Sequence, residues 1–137
     1  MLDTKDILET ITMIREEHLD VRTITMGISL LDCIDPDIQR ACDKIYDKMC
    51  RYAKDLVKTG EDLEREYGVP IVNKRIAVTP IAMVAAACQA KNPVKFAYAL
   101  EKAARTVGVN FIGGYSALVH KGFGPGDYAL IHSIPQA

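Results

Sequence analysis

Val21-Arg22-Thr23-Ile24-Thr25-Met26-Gly27-Ile28-Ser29-Leu30 decides the fold class. Its residues alternate, with Ile24, Met26, Ile28 and Leu30 on one side and Thr23, Thr25, Gly27 and Ser29 on the other. Period two with β-branched residues predicts a strand. Strands of a parallel sheet buried on both faces are usually apolar on both. The small polar side is therefore expected to line a cavity.

The flanking period is helical. Upstream, Ile7, Ile11, Ile14 and His18 share one face of a helix that Asp3 or Thr4 caps and that ends near Leu19-Asp20. Downstream, Asp35-Pro36 reads as cap and first helical residue. An apolar stripe then runs Ile38, Cys42, Ile45, Met49, Ala53, Leu56, Gly60, Leu63, Tyr67, closed by Gly68 and Pro70. Core packing explains the stripe better than a coiled coil, since it holds Cys42, Ala53 and Gly60 and little leucine. A helix from Pro36 to Tyr67 would be about 48 Å long, against a diameter of about 37 Å for a compact domain of this length. It must break, with Thr59-Gly60 the expected place, or belong to a larger body.

A second strand is expected over 69–78, interrupted by the polar Asn73-Lys74-Arg75, and a third over 109–112. Between them, Thr79-Pro80 opens an apolar, buried helix through Cys88, and Asn92-Pro93 opens another that stops at Gly108. The segment 128–134 is apolar without a decisive period, and Ser133 with Pro135 reads as a helix start. Strands separated by helices predict α/β architecture, βαβ units with a parallel sheet, in a single domain over 1–137. Ligands of such sheets bind beyond the carboxyl ends of the strands.

Composition narrows function by exclusion. With 49% hydrophobic and 26% charged residues the chain is neither disordered nor a membrane span. The net charge of −1 divides unevenly, −6 over residues 1–68 and +5 over 69–137. The acidic excess reads as solvated helix surface and the basic residues are too dispersed for nucleic acid. Cys33, Cys42, Cys50 and Cys88 include no C-x-x-C pair, so reduced thiols in a cytoplasm are the default.

Three polar clusters fall at the expected strand ends. Cys33, beside Ser29, Asp32 and Asp35, is a candidate nucleophile if His120 lies near it; a plain loop thiol is the alternative. Asp32, Asp35 and Asp37 offer oxygens to a hard cation, but helix capping accounts for them better, so no metal site is assigned. Asn73, Lys74 and Arg75 can hold a carboxylate or phosphate, or form a solvated edge paired with the acidic helix. Gly113, Gly114, Ser116, His120 and Lys121 form the third group. Its glycines allow close backbone approach but lack a nucleotide-loop spacing, and a strand-end turn is the simpler reading.

Three strings carry a resemblance: Thr23 to Asp35, Ile71 to Ile81, and Val109 to Val119 continuing through Lys121-Gly122 to Ser133-Ile134-Pro135. They resemble uncharacterised protein family 0210, also called domain of unknown function 711. The resemblance implies a fold like that of pyruvate formate-lyase, a β/α barrel of two parallel half-sheets. It does not imply that activity, since the chain has no glycyl-radical motif. It implies that this sequence is the N-terminal portion of a longer barrel protein, and it points to an ACT-type regulatory protein as a partner.

The expectation is a cytoplasmic protein binding a small anionic metabolite through Asp32, Asn73, Lys74, Arg75 and Ser116, with Cys33 as the catalytic candidate. No cofactor is named. The alternative is a non-catalytic assembly or regulatory module acting as a homo-oligomer.

Overall fold

The computed structural model describes residues 3–18, 20–120 and 122–137. Helix α1 (Thr4–Arg15) precedes strand β1 (Val21–Ile28). Helices α2 (Ile38–Ala53) and α3 (Leu56–Tyr67) lead to β2 (Ile71–Val78). Then come α4 (Ile81–Ala87), α5 (Val94–Val107), β3 (Phe111–Gly113) and α6 (Pro125–Ser133). The sheet is parallel and its order, β1-β2-β3, is the order in sequence.

Register fixes the two faces. Thr23 pairs with Asn73, Thr25 with Arg75 and Gly27 with Ala77; Arg75 and Ala77 in turn pair with Phe111 and Gly113. These residues share one face. The alternate residues, Met26 with Ile76 and Ile112, and Ile28 with Val78, belong to the core, where Ile45, Met49, Ile81, Val84, Phe96 and Leu130 are fully buried. Helices α2, α3 and α5 cover that apolar face. On the other face Thr25, Gly27 and Phe111 are exposed. The small polar side of β1 thus lines an open surface of this chain rather than a closed cavity.

The long helical stretch does break, but at Lys54-Asp55 rather than at Thr59-Gly60. The two pieces, about 24 and 18 Å long, each fit the domain. Asp55 leaves the helical region at φ −106°, ψ 1°, which lets the buried stripe of α2 face α5 while α3 turns onto the sheet. Gly60 serves contact instead: a Cβ there would sit 2.9 Å from Lys74 Cε and 3.2 Å from Ile24 Cδ1.

Other boundaries shift for local reasons. Helix α1 ends at Arg15, short of Leu19-Asp20, and begins at the Asp3 cap. Helix α2 is capped by Asp37, not Asp35: the Asp37 carboxylate accepts from the Gln39 and Arg40 backbone N–H groups. Asp35 steps back to accept from the Asp37 N–H at 2.9 Å. Helix α4 is apolar on every side, as expected, but it is not buried on every side: Met83, Ala86 and Ala87 are exposed. Ser133 both ends α6 and stands at the N-cap position of a 3-10 helix (Ile134–Gln136) with Pro135 in its first turn, but its side chain does not cap that helix: its Oγ donates back to Leu130 O at 2.6 Å.

Candidate functional site

The polar triplet of β2 divides between the two faces of the sheet. Lys74 points into the helix layer. Its Nζ donates to Glu64 Oε1 at 3.3 Å and to Ile71 O at 3.0 Å, and its side chain is 13% exposed. Glu64 also accepts from the Ile71 N–H at 2.6 Å, and that bond, followed by Lys74, holds its carboxyl below the usual range. Lys74 is therefore satisfied inside the fold, where it reaches past Gly60 to α3.

Asn73 and Arg75 lie on the open face. Asn73 Nδ2 donates to Arg22 O at 3.3 Å. Arg75 Nε donates to Thr25 Oγ1 at 3.1 Å, and its guanidinium lies 5.7 Å from the Phe111 ring centroid. No carboxylate among the described residues pairs with it. The bond to Thr25 occupies Nε and leaves both terminal nitrogens to form a fork for a planar anion. Next along the face towards the carboxyl ends is the row Gly27, Ala77, Gly113, and a Cβ added at Gly27 or Gly113 would meet nothing within 4 Å.

A second polar group forms where β1 ends. The segment Leu31–Cys33 makes one 3-10 turn. Lys48 of α2 donates to Ser29 O and to Asp32 Oδ1, both at 2.6 Å. That hydrogen bond is the main reason the Asp32 carboxyl is held below the usual range. Cys33 is 3% exposed, and its Sγ lies 3.7 Å from Asp32 Oδ1. Burial and then the neighbouring Asp32 charge push the thiol up, so it stays protonated at neutral pH. Its hydrogen-bond partner is Asp32, not His120. Asp35 is bound by Lys44 at 2.9 Å and Arg40 at 3.2 Å; with Asp37 it organises the start of α2.

Ser116 is exposed in the turn after β3. Its N–H donates to Gly114 O and its own O accepts from the Ala82 N–H at 3.2 Å. Gly114, at φ +136°, makes that turn against β2: a Cβ there would lie 2.8 Å from Val78 O. Lys121 lies outside the described residues.

The structure thus brings together Thr25, Arg75 and Phe111 on the open face, with Asn73 beside them, and Asp32, Cys33 and Lys48 at the end of β1. It withdraws Lys74 from both. Lys48 and Phe111 were missed in the sequence. Lys48 follows Lys44 by one helical turn, and both face the acids after β1; that spacing was a readable signal. Phe111 meets Arg75 only through strand register, which the sequence does not display.

Comparison with known proteins adds the family. The family profile described as "Uncharacterised ACR (DUF711)" matches residues 12–137. A UPF0210 protein of Ligilactobacillus salivarius is 63% identical over 136 residues, 99% of this chain and 30% of that protein. Those of Ruminiclostridium cellulolyticum and Pelotomaculum thermopropionicum are 62% and 63% identical over 137 residues, each match covering 100% of this chain and 30% of the relative. The chain spans about 30% of the length of the curated relatives it matches.

Proposed function

The chain belongs to the DUF711 (UPF0210) family, and from its open sheet face we propose that it binds a small anionic metabolite, through the Arg75 guanidinium. One observation carries this reading. Arg75 is oriented by Thr25 and Phe111, has no carboxylate partner among the described residues, and stands on the open face one row before the uncovered Gly27–Ala77–Gly113 row. A carboxylate or phosphate accepting both N–H donors would gain about 1.5–3 kcal/mol from charge-assisted hydrogen bonds. Asn73 lies beside this site, while Asp32 and Ser116 stand at the carboxyl ends of the strands. Lys74 supports the site from beneath by tying β2 to α3. The burial of Cys33 favours a packing role over a nucleophilic one, and no reaction is assigned.

The same proposal places the sheet within a β/α barrel resembling that of pyruvate formate-lyase, with the open face turned inward, in a cytoplasmic protein. Its support is physical: all-parallel sheets are found almost only with both faces covered, and this one is covered on one face. An ACT-type partner belongs to the proposal on the resemblance alone.

The test is a thermal-shift titration of the chain with small carboxylates and phosphate esters, repeated on Arg75→Ala and Arg75→Lys. Arg75 is half-buried on an open face, so both variants should fold. A binding anion raises Tm by mass action. Removing the fork should weaken it about 10- to 100-fold, and lysine, a single point charge, should restore only part. If no anion shifts Tm, or if one binds Arg75→Ala equally well, the reading fails.

A second reading, a non-catalytic module that self-associates, rests on the outer edge of β1. That edge pairs with no strand among the described residues, and such edges invite pairing. Light scattering at micromolar concentration tests it; a monomer counts against it.

A further inference from the structure

The chain has nine glycines, and its own structure accounts for all but two. An added Cβ would crowd a neighbour at Gly60, Gly114, Gly124 and Gly126, and a left-handed φ explains Gly68, Gly108 and Gly122. Gly27 and Gly113 have neither reason: their φ is not left-handed and nothing lies within 4 Å of an added Cβ. Glycine inside a strand weakens it, and it is kept where a ligand or another backbone comes close. Both glycines stand on the open face, in one row with Ala77 between them. The preceding row holds Thr25, Arg75 and Phe111, where the guanidinium has no carboxylate partner among the described residues and the Phe111 side chain is exposed.

We infer that the anion taken by Arg75 is a carboxylate on a flat, conjugated body, an aromatic or unsaturated acid whose face lies on this row. The inference rests on anion binding by Arg75 and extends it to the class of substrate. Arg75 supplies the charge, and its terminal nitrogens match the two oxygens of a carboxylate. The bare row comes two residues further along the strands, about 6.6 Å, a step covered by a ring bonded directly to the carboxylate. Three strands make the row about 10 Å wide, and its tallest side chain is the methyl of Ala77. Such a floor meets a whole face of a flat ring, whereas a puckered ring touches it through a few hydrogens only, with fewer atoms in contact. Phe111, with its guanidinium contact at 5.7 Å, adds an aromatic flank at the β3 end. A phosphate ester fits less well, because its tetrahedral phosphorus and saturated linkage stand where the flat body begins.

NMR titrations of the chain test it, with benzoate, cyclohexanecarboxylate and acetate as probes. Benzoate and cyclohexanecarboxylate carry the same charge on six-membered rings that differ in flatness. Benzoate should bind about 10-fold more tightly. That comparison needs no substitution and decides the matter even where a variant misfolds. Gly27→Val then raises a branched side chain from the floor, at a position with nothing within 4 Å. The ratio of benzoate to acetate affinity should fall about 10-fold in it; a ratio taken within one variant is not mimicked by partial loss of fold. Arg75→Ala separates this inference from the reading beneath it. If acetate and benzoate both weaken in Arg75→Ala, yet benzoate binds no more tightly than cyclohexanecarboxylate or its ratio is unchanged in Gly27→Val, the flat acid is overturned and anion binding by Arg75 stands. If both bind Arg75→Ala as well as the parent chain, the two readings fall together.

Discussion

Gly126 is where α6 meets α4, and replacing it tests the packing of the last helix. A Cβ on Gly126 would sit 2.6 Å from the Ala86 Cβ and 2.8 Å from Ala82 O. Neither is a flexible side-chain tip, so α6 must move as a body. Such overpacking costs about 3 kcal/mol at the upper end of the usual range. Against it, alanine in place of glycine in a helix gains at most about 1 kcal/mol. The net loss expected for Gly126→Ala is about 2 kcal/mol. At about 2.1 cal/mol/K per residue, a chain of 137 residues has an unfolding entropy of about 0.29 kcal/mol/K, so Tm should fall by about 7 °C. Gly27→Ala is the control. Nothing lies within 4 Å of its Cβ, and alanine in a strand gains about 0.5–1 kcal/mol over glycine, so Tm should rise by about 2–3 °C. Differential scanning calorimetry on both variants decides the matter. A Gly126→Ala variant whose Tm is unchanged or raised would refute the close α4–α6 contact.

Cys42 is 5% exposed, and burial pushes its thiol up to about 11. Between about pH 9 and 11 the unfolded thiol loses its proton while the folded one keeps it, so stability falls as pH rises, by about 2–3 kcal/mol; urea midpoints of Cys42→Ala should lack that share of the loss. On the acid side, Asp32, Asp35, Asp62 and Glu64 are all held below their ordinary values, each by a hydrogen bond as the leading cause. Their stabilisation is complete above about pH 5 and is lost as pH falls below about 4 through the folded values; a urea midpoint that stays level from pH 5 to pH 2.5 would contradict it. Asp37→Ala removes the α2 cap and should cost about 1 kcal/mol, read as a drop in Tm of about 3–4 °C.

The elements were legible where a local rule dominates. The alternation of Val21 to Leu30 gave a strand, and Gly68 and Gly108 end helices in left-handed conformation at φ +68° and +78°. The parallel arrangement followed from helices between strands. Sites set by packing were not legible. Gly60 carries a helix-breaking reputation, yet here it admits Lys74 and Ile24; the break fell at Asp55, where two buried stripes face different layers. The polar triplet of β2 read as one cluster because sequence neighbours look adjacent, whereas a strand sends them to opposite faces. The pairing of Arg75 with Phe111 depends on register between strands 36 residues apart, information carried by the whole fold and by no single motif.

The pairing of Val21 with Ile71 also sets a timetable. β1 cannot find its only strand partner among the described residues until some fifty more residues have been made, which at about 5–20 residues per second takes about 3–10 s. For that interval the stripe of Met26, Ile28 and Leu30 has no sheet to join, and the helices that will cover it are still being completed. Variants that slow synthesis through α2 and α3 would prolong this exposure, and with it the opportunity for nascent chains to pair with one another through β1.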